Sequence, residues 1–274
     1  MRLSRHLLAA VCLAALCAPA VAGDGSSTGY VGASYGQSKT SLRGLQDADE
    51  NVVEVSGAWS IALSETIGLQ ADGGFAYLDE AGDTQPFATL HVAWRNSDIG
   101  LAGGFLGAAR DGDDTVYGGG LEGQYYINRF TLYGSLGYAR GQGVPPPSAP
   151  PPSVSQTDID YLAARAQVRY FPHDNLRIAG ALGYGSSDDG FRSRSGYALG
   201  ADAEYQLSSL PLSVYGRVGY NDFGNGLAGD VENVTTGALG VRWSFGADSL
   251  FYRDRAGATS DGFKDLLLLH SGNN

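Results

Sequence analysis

The sequence predicts an all-β protein, a transmembrane antiparallel up-and-down β-barrel of about 12 strands. Three observations predict it. Apolar residues alternate with small or polar ones through segments of about ten residues, the period of a strand with a different environment on each side. The connections alternate between short turns and longer, mostly acidic loops, which puts the two kinds on opposite rims. Aromatic side chains gather at both ends of the apolar stripes, at positions that follow strand direction. No run approaches the roughly 20 apolar residues of a spanning helix, and nothing between the strands keeps a helical period long enough for a βαβ unit.

The chain opens MRLSRHLLAAVCLAALCAPAVAG, which reads as a secretory signal peptide. Arg2 and Arg5 form its basic end, 7–16 its apolar run, and Ala20-Val21-Ala22 its small-x-small cleavage site. Leu16 before Cys17 does not fit a lipid-modified cysteine. Both cysteines, Cys12 and Cys17, fall in this leader, so disulfide and thiol chemistry are not expected of the mature chain. The expected organisation is a leader over 1–22, a barrel over 23–246 and a periplasmic tail over 247–274. The formal net charge is −11 and the only lysines are Lys39 and Lys264, which argues against a nucleic-acid partner.

The strands follow in order. Segment 30–38 has the weakest alternation. Segment 52–63, VVEVSGAWSIAL, sets Val53, Val55, Trp59, Ile61 and Leu63 on one face and Glu54, Ser56, Ala58 and Ser60 on the other. Segment 67–78 places Leu69, Phe75 and Tyr77 against Gln70 and Asp72, and 86–95 places Trp94 against Thr89, His91 and Arg95. Segment 99–108 carries no charge, and Ala102, Gly104 and Ala108 are assigned to its inner face. Segment 116–126 turns Glu122 and Gln124 away from Tyr125, with Gly118 and Gly120 on the Glu122 side. Segment 130–140 puts Leu132, Leu136 and Tyr138 opposite Gly137 and Ala139. Segment 159–171 carries Arg165, Gln167 and Arg169, and 176–185 carries Arg177 with Ala179, Ala181 and Gly183. Segments 196–206, 212–221 and 235–245 add Asp202 and Glu204, then Tyr215 and Arg217, then Arg242.

The short connections are 64–66, 96–98, 127–129, 172–175 and 207–211; the longer ones include 39–51, 79–85, 109–115, 141–158, 186–195 and 222–234. An even strand number returns both ends to the short-turn rim. The stretch GVPPPSAPPPSVS, 143–155, cannot donate ladder hydrogen bonds at its prolines and reads as a stiff spacer. The polar parity holds so many ionisable groups that a dry core would cost several kcal/mol per unpaired ion. The oily face is therefore assigned to lipid and the ionic face to the lumen.

The last strand reads ALGVRWSFG, 238–246, a glycine followed at alternate positions by Trp243 and Phe245. This resembles the C-terminal assembly signal of Gram-negative outer-membrane proteins, and 23–246 as a whole resembles the porin-like outer-membrane barrels. The resemblance implies an outer-membrane location, contact with membrane lipid and lipopolysaccharide, and transport. The sequence departs from the pattern by continuing to Asn274. A disordered tail is expected there in preference to a small plug.

Other motifs carry less. Gly32-Ala33-Ser34-Tyr35-Gly36 fits GxSxG, but no helix follows to build a nucleophile elbow. Gly118 to Gly123 fits GxGxxG, yet lies inside a strand and lacks the helix that binds a pyrophosphate. His91, His173 and His270 have no metal-ligand spacing, so neither a metal nor another cofactor is expected, and an enzyme is not. Asn233-Val234-Thr235 reads as loop, and the acidic loops as solvated.

The inner face predicts a pore lined by Arg165, Arg169, Arg177, Arg217 and Arg242 on one side, with Glu54, Asp72 and Glu122 across from them and Asp202 and Glu204 interrupting the basic row. Small inner residues leave room for water. The expected function is a monomeric, porin-like passive channel for small hydrophilic solutes. The alternatives are a closed structural or surface-interaction barrel with acidic extracellular loops and, as a lesser one, an outer-membrane hydrolase.

Overall fold

The structure, a computed structural model, describes residues 27–111, 114–143, 157–188, 193–224 and 231–267. The leader and the proline run of 144–156 lie outside the described residues. Twelve strands form: β1 (Ser27–Leu42), β2 (Ala48–Ala62), β3 (Ile67–Leu78), β4 (Asp83–Asn96), β5 (Gly100–Asp111), β6 (Asp114–Ile127), β7 (Phe130–Gly143), β8 (Thr157–His173), β9 (Leu176–Asp188), β10 (Ser193–Gln206), β11 (Leu212–Asp222) and β12 (Val231–Phe245). Each pairs antiparallel with its sequence neighbours, and β1 pairs with both β2 and β12, so the sheet is a closed barrel. Closure leaves no edge, the condition for a sheet to sit in hydrocarbon.

The strands outrun the apolar segments. β1 continues to Leu42 and β2 begins at Ala48, so most of the loop expected over 39–51 is hairpin ladder. The extension carries Lys39, Thr40, Asp49 and Glu50, whose polarity hides a strand from a search for alternation. The short turns at the other rim fall where the sequence places them.

The oily face looks outward. Leu239 is 74% exposed, Leu121 70% and Leu106 69%, values that a water-soluble core would not allow. Trp59, Leu132 and Val214 share that face. Aromatic rings edge the apolar band at the short-turn rim: Phe130 stacks on Tyr170 with centroids 4.6 Å apart, and His173 meets Tyr205 edge-on. Tyr197 and Tyr220 adjoin at the opposite end.

β5 corrects the sequence reading. Ala102 stands opposite Trp94 and Leu106 opposite Leu90, so Ala102, Gly104 and Ala108 face outward. Leu101, Phe105 and Ala109 are the buried, inward residues. The stretch GLAGGFLGAARD is small or apolar on both parities until its end, so alternation cannot phase it; pairing with β4 does.

The larger correction concerns the tail. Residues 247–267 are neither a disordered nor an external tail; they fold back into the lumen from the short-turn rim. Gly246, at φ 68°, makes the reversal after β12, and a side chain there would strike the Ser27 carbonyl. Two short helices follow, α1 (Leu250–Ala256) and α2 (Phe263–Leu267). Ser249 caps α1 by accepting a hydrogen bond from the Tyr252 amide at 3.1 Å.

Because Leu239 sits mid-strand on the outer face, Leu239→Arg is expected to cost about 2–4 kcal/mol of folding stability in bilayers. Denaturant titration of the barrel in lipid vesicles checks this; an unchanged midpoint would contradict the assignment of faces.

Candidate functional site

The ten charged residues of the expected lining share the barrel interior with the tail, and Glu122 and Glu204 among them are buried rather than part of the cavity wall. All ten face inward. The structure adds a partner for most of them.

At the short-turn rim, Arg253, Asp254 and Arg255 follow one another on α1 and reach different walls. Arg253 donates to both Glu204 oxygens, at 3.0 and 2.9 Å, and to Ser244 Oγ at 2.7 Å. Glu204 also receives Arg242 at 2.5 Å and the Ser213 hydroxyl at 2.6 Å, with Arg177 3.6 Å away. Arg242 lies between the rings of Tyr30 and Tyr215, its guanidinium 4.2 and 4.7 Å from their centroids. Asp254 accepts from Arg169 at 2.9 Å and from Thr131 at 2.5 Å. Arg255 donates to the Asn128 and Phe130 carbonyls and covers the Tyr126 ring.

Higher in the lumen the chain runs past β3 and β8. The Thr259 and Ser260 amides donate to Gln70 Oε1, and Gln70 Nε2 donates back to the Ser260 carbonyl. Asp261 accepts from Arg165 at 2.9 Å and Arg169 at 3.0 Å. Burial alone would raise the Asp261 carboxyl, but Arg165 and Arg169 outweigh it and hold it below the usual carboxylate range. Asp265 on α2 moves the other way, pushed up by burial and then by the charge of Asp261. Below the tail's path, the His91 ring nitrogens lie 2.8 Å from Asp72 and 2.8 Å from Glu122, and the Tyr133 hydroxyl donates to Glu122.

α2 then packs across the lumen against the β4–β8 side. The Phe263 amide donates to Thr89 Oγ1 at 2.8 Å. Phe263 and Leu266 are buried in a cluster with Phe105, Val116, Ala139, Tyr161 and Ala163. Lys264 Nζ donates to Glu54 Oε2 at 2.7 Å, and Arg217 reaches the same oxygen at 2.9 Å.

The small inner residues therefore have a second use. Gly137 and Ala139, expected to leave space for water, shape a socket for the tail on this side, joined by Gly107, which the corrected phase of β5 turns inward. A side chain at Gly107 would overlap Phe263, and one at Gly137 would overlap Leu266. Ala139 is part of the same cluster.

Space remains between the tail and the wall. A cavity of about 670 Å³ runs down the lumen, lined by Thr40, Glu50 and Ala81 near the loop rim, by Ser34, Arg177, Asp202, Tyr215 and Arg217 at mid-height, and by Arg242 and Arg253 at its base. The described part of the chain thus holds a cup with charged side chains in its wall and Arg253, the partner of Glu204, at its base. Arg165 and Arg169 touch the cup but are tied to the tail. Among the described residues no three His, Cys, Asp or Glu side chains group to hold a metal ion.

No family model and no curated protein matches the chain. Solved structures do. An outer membrane channel from Pseudomonas putida F1 is similar with a TM-score of 0.53 and 9% identity, over 83% of this chain and 98% of that one. The NanC porin is similar with a TM-score of 0.50 and 11% identity, over 77% of this chain and 98% of that one. At these identities the likeness shows the fold, which is that of porin-like outer-membrane β-barrels.

Arg169 is 1% exposed and binds both Asp254 and Asp261. Arg169→Ala leaves two buried carboxylates short of a partner and is expected to cost roughly 3–5 kcal/mol of tail docking. Limited proteolysis should then cleave within 247–267 in the variant while the wild type resists; equal protection in both would contradict the anchor.

Proposed function

We propose that the chain is a porin-like conduit of the outer membrane, through which small hydrophilic solutes diffuse passively once the tail yields at the base of the lumen. The carrying observation is the charged cavity, which runs from Thr40, Glu50 and Ala81 near the loop rim down to Arg242 and Arg253, where Arg253 of α1 is paired with Glu204. In this reading 1–22 is an export leader, 23–246 the barrel, and 247–267 a plug entering from the periplasm. The barrel is a monomer whose belt meets lipid and whose loop rim meets lipopolysaccharide. No nucleic acid, cofactor or chemical step is involved.

The geometry assigns the work. Arg177 and Arg217 stand in the cup wall with Asp202 and Glu54 as counter-charges, so a solute meets a field across the lumen as well as along it. The Arg253–Glu204 pair is the constriction. Opening moves Arg253 off Glu204, whose charge Arg242 continues to compensate.

A second reading has its own observation. The plug fits its socket closely and ties down Arg165, Arg169, Glu54 and Glu204, which suits a permanently closed structural barrel. Conductance in planar bilayers separates the two. Arg253→Ala is expected to raise the open probability several-fold over wild type; silence from both folded proteins supports the closed barrel. In the conducting variant, Arg177→Ala with Arg217→Ala should shift selectivity toward cations. Unchanged reversal potentials in a salt gradient would remove these two from the conducting path.

A further inference from the structure

The seat of α2 has a composition that a water path does not require. One part is an apolar socket for a ring. Phe263 is 1% exposed, against Phe105, Val116 and the glycine gap at Gly107. The adjoining part receives an ammonium. Lys264 Nζ lies 2.7 Å from Glu54 Oε2 and 5.0 Å from the centroid of Phe87. A carboxylate beside an aromatic face is a recurrent way to hold an organic cation. The Glu54 side chain is 8% exposed, so the charge it offers is scarcely shared with water. Arg217 makes a hydrogen bond to the same carboxylate oxygen, which leaves the group room for a second cation.

We propose that the surface beneath α2 is a binding site for an amphiphilic organic cation, an aromatic ring joined by a short chain to an ammonium group, and that Phe263 and Lys264 occupy it in place of that ligand. The inference rests on the conduit reading, because the ligand reaches the seat through the cavity, of which Phe87, Glu54 and Lys264 are lining residues. A bound cation of this kind competes with the tail for one seat. It thereby favours release of the plug's upper half, while α1 keeps its own anchors at Glu204 and Asp254. The ring supplies burial and the ammonium supplies direction, so neither half alone is an adequate ligand.

Phenethylamine is the probe, with the full-length chain folded in detergent and each variant's folding read from heat-modifiable gel migration. In Phe263→Ala with Lys264→Ala the seat is vacated, and calorimetry is expected to show binding at least about tenfold tighter than to wild type. Adding Glu54→Gln to that background should reverse most of the gain, and ethylamine or benzyl alcohol should bind about tenfold more weakly than phenethylamine. Gly107→Leu fills the socket from the wall instead; it should expel α2, seen as proteolysis after Lys264, without creating a phenethylamine site. Equal affinity in wild type and the vacated variant, or affinity indifferent to Glu54→Gln, overturns the proposal. Should the double variant fail to fold, Phe263→Ala alone carries the same comparison. Conductance of the same preparations keeps the two readings apart. Binding without conductance leaves the site and removes the conduit, and conductance without binding does the reverse.

Discussion

Charge compensation inside a narrow lumen is the constraint on which the rest depends. A carboxylate or guanidinium facing water needs no partner, but one covered by a plug loses its solvent and must find one. At several of the wall charges that it covers, the tail brings an opposite charge, and one of its own charges finds oriented dipoles in the wall. Arg253 meets Glu204, Asp254 and Asp261 meet Arg169, Lys264 meets Glu54, and Arg255 meets two backbone carbonyls. The three consecutive charges Arg253-Asp254-Arg255 can reach three walls only because a helix fans successive side chains by about 100° each. The short α1 is thus set by the charges it must deliver.

The same constraint explains what the sequence made legible. A face carrying Glu54, Asp72, His91, Glu122 and Arg169 cannot be a dry core, so the inversion of the barrel follows from residue type and period 2 alone. The inward parity of the ten charged residues follows with it. The phase of β5 does not, since its uncharged residues satisfy either parity and only the register with β4 decides. The tail was hidden for a related reason. Short helices have little periodicity to display, and α2 spans only Phe263–Leu267, with its buried Phe263 and Leu266 one turn apart. The available clue was arithmetic of charge: an acidic and basic run beyond the last strand, following a barrel whose inner wall is itself heavily charged.

Small residues show how one observation can support two structures. Gly107, Gly137 and Ala139 subtract volume from the wall. Read alone, that volume belongs to water. Read with Phe263 and Leu266, it belongs to a protein side chain, because the loss of Cβ atoms at the wall is what lets an aromatic ring approach the sheet. The lumen is consequently divided. α2 fills an apolar socket at the β4–β8 wall, and a cavity with charged side chains in its lining remains beside it. A uniform channel would have no reason for the difference.

Wall and plug also differ in how they hold together. The ladder closes through β1 and β12, ending at Phe245, so removing everything after Gly246 opens no edge to lipid. The tail has no comparable independence. α1 spans 7 residues and α2 spans 5, lengths at which a helix in water does not pay for its own nucleation. Their order therefore comes from the lumen wall. Undocking does not release a rigid stopper; it unfolds the segment, and the entropy gained on release offsets part of the ion pairing lost. On the proposed conduit reading, that balance keeps a tightly packed plug displaceable while the barrel around it stays fixed.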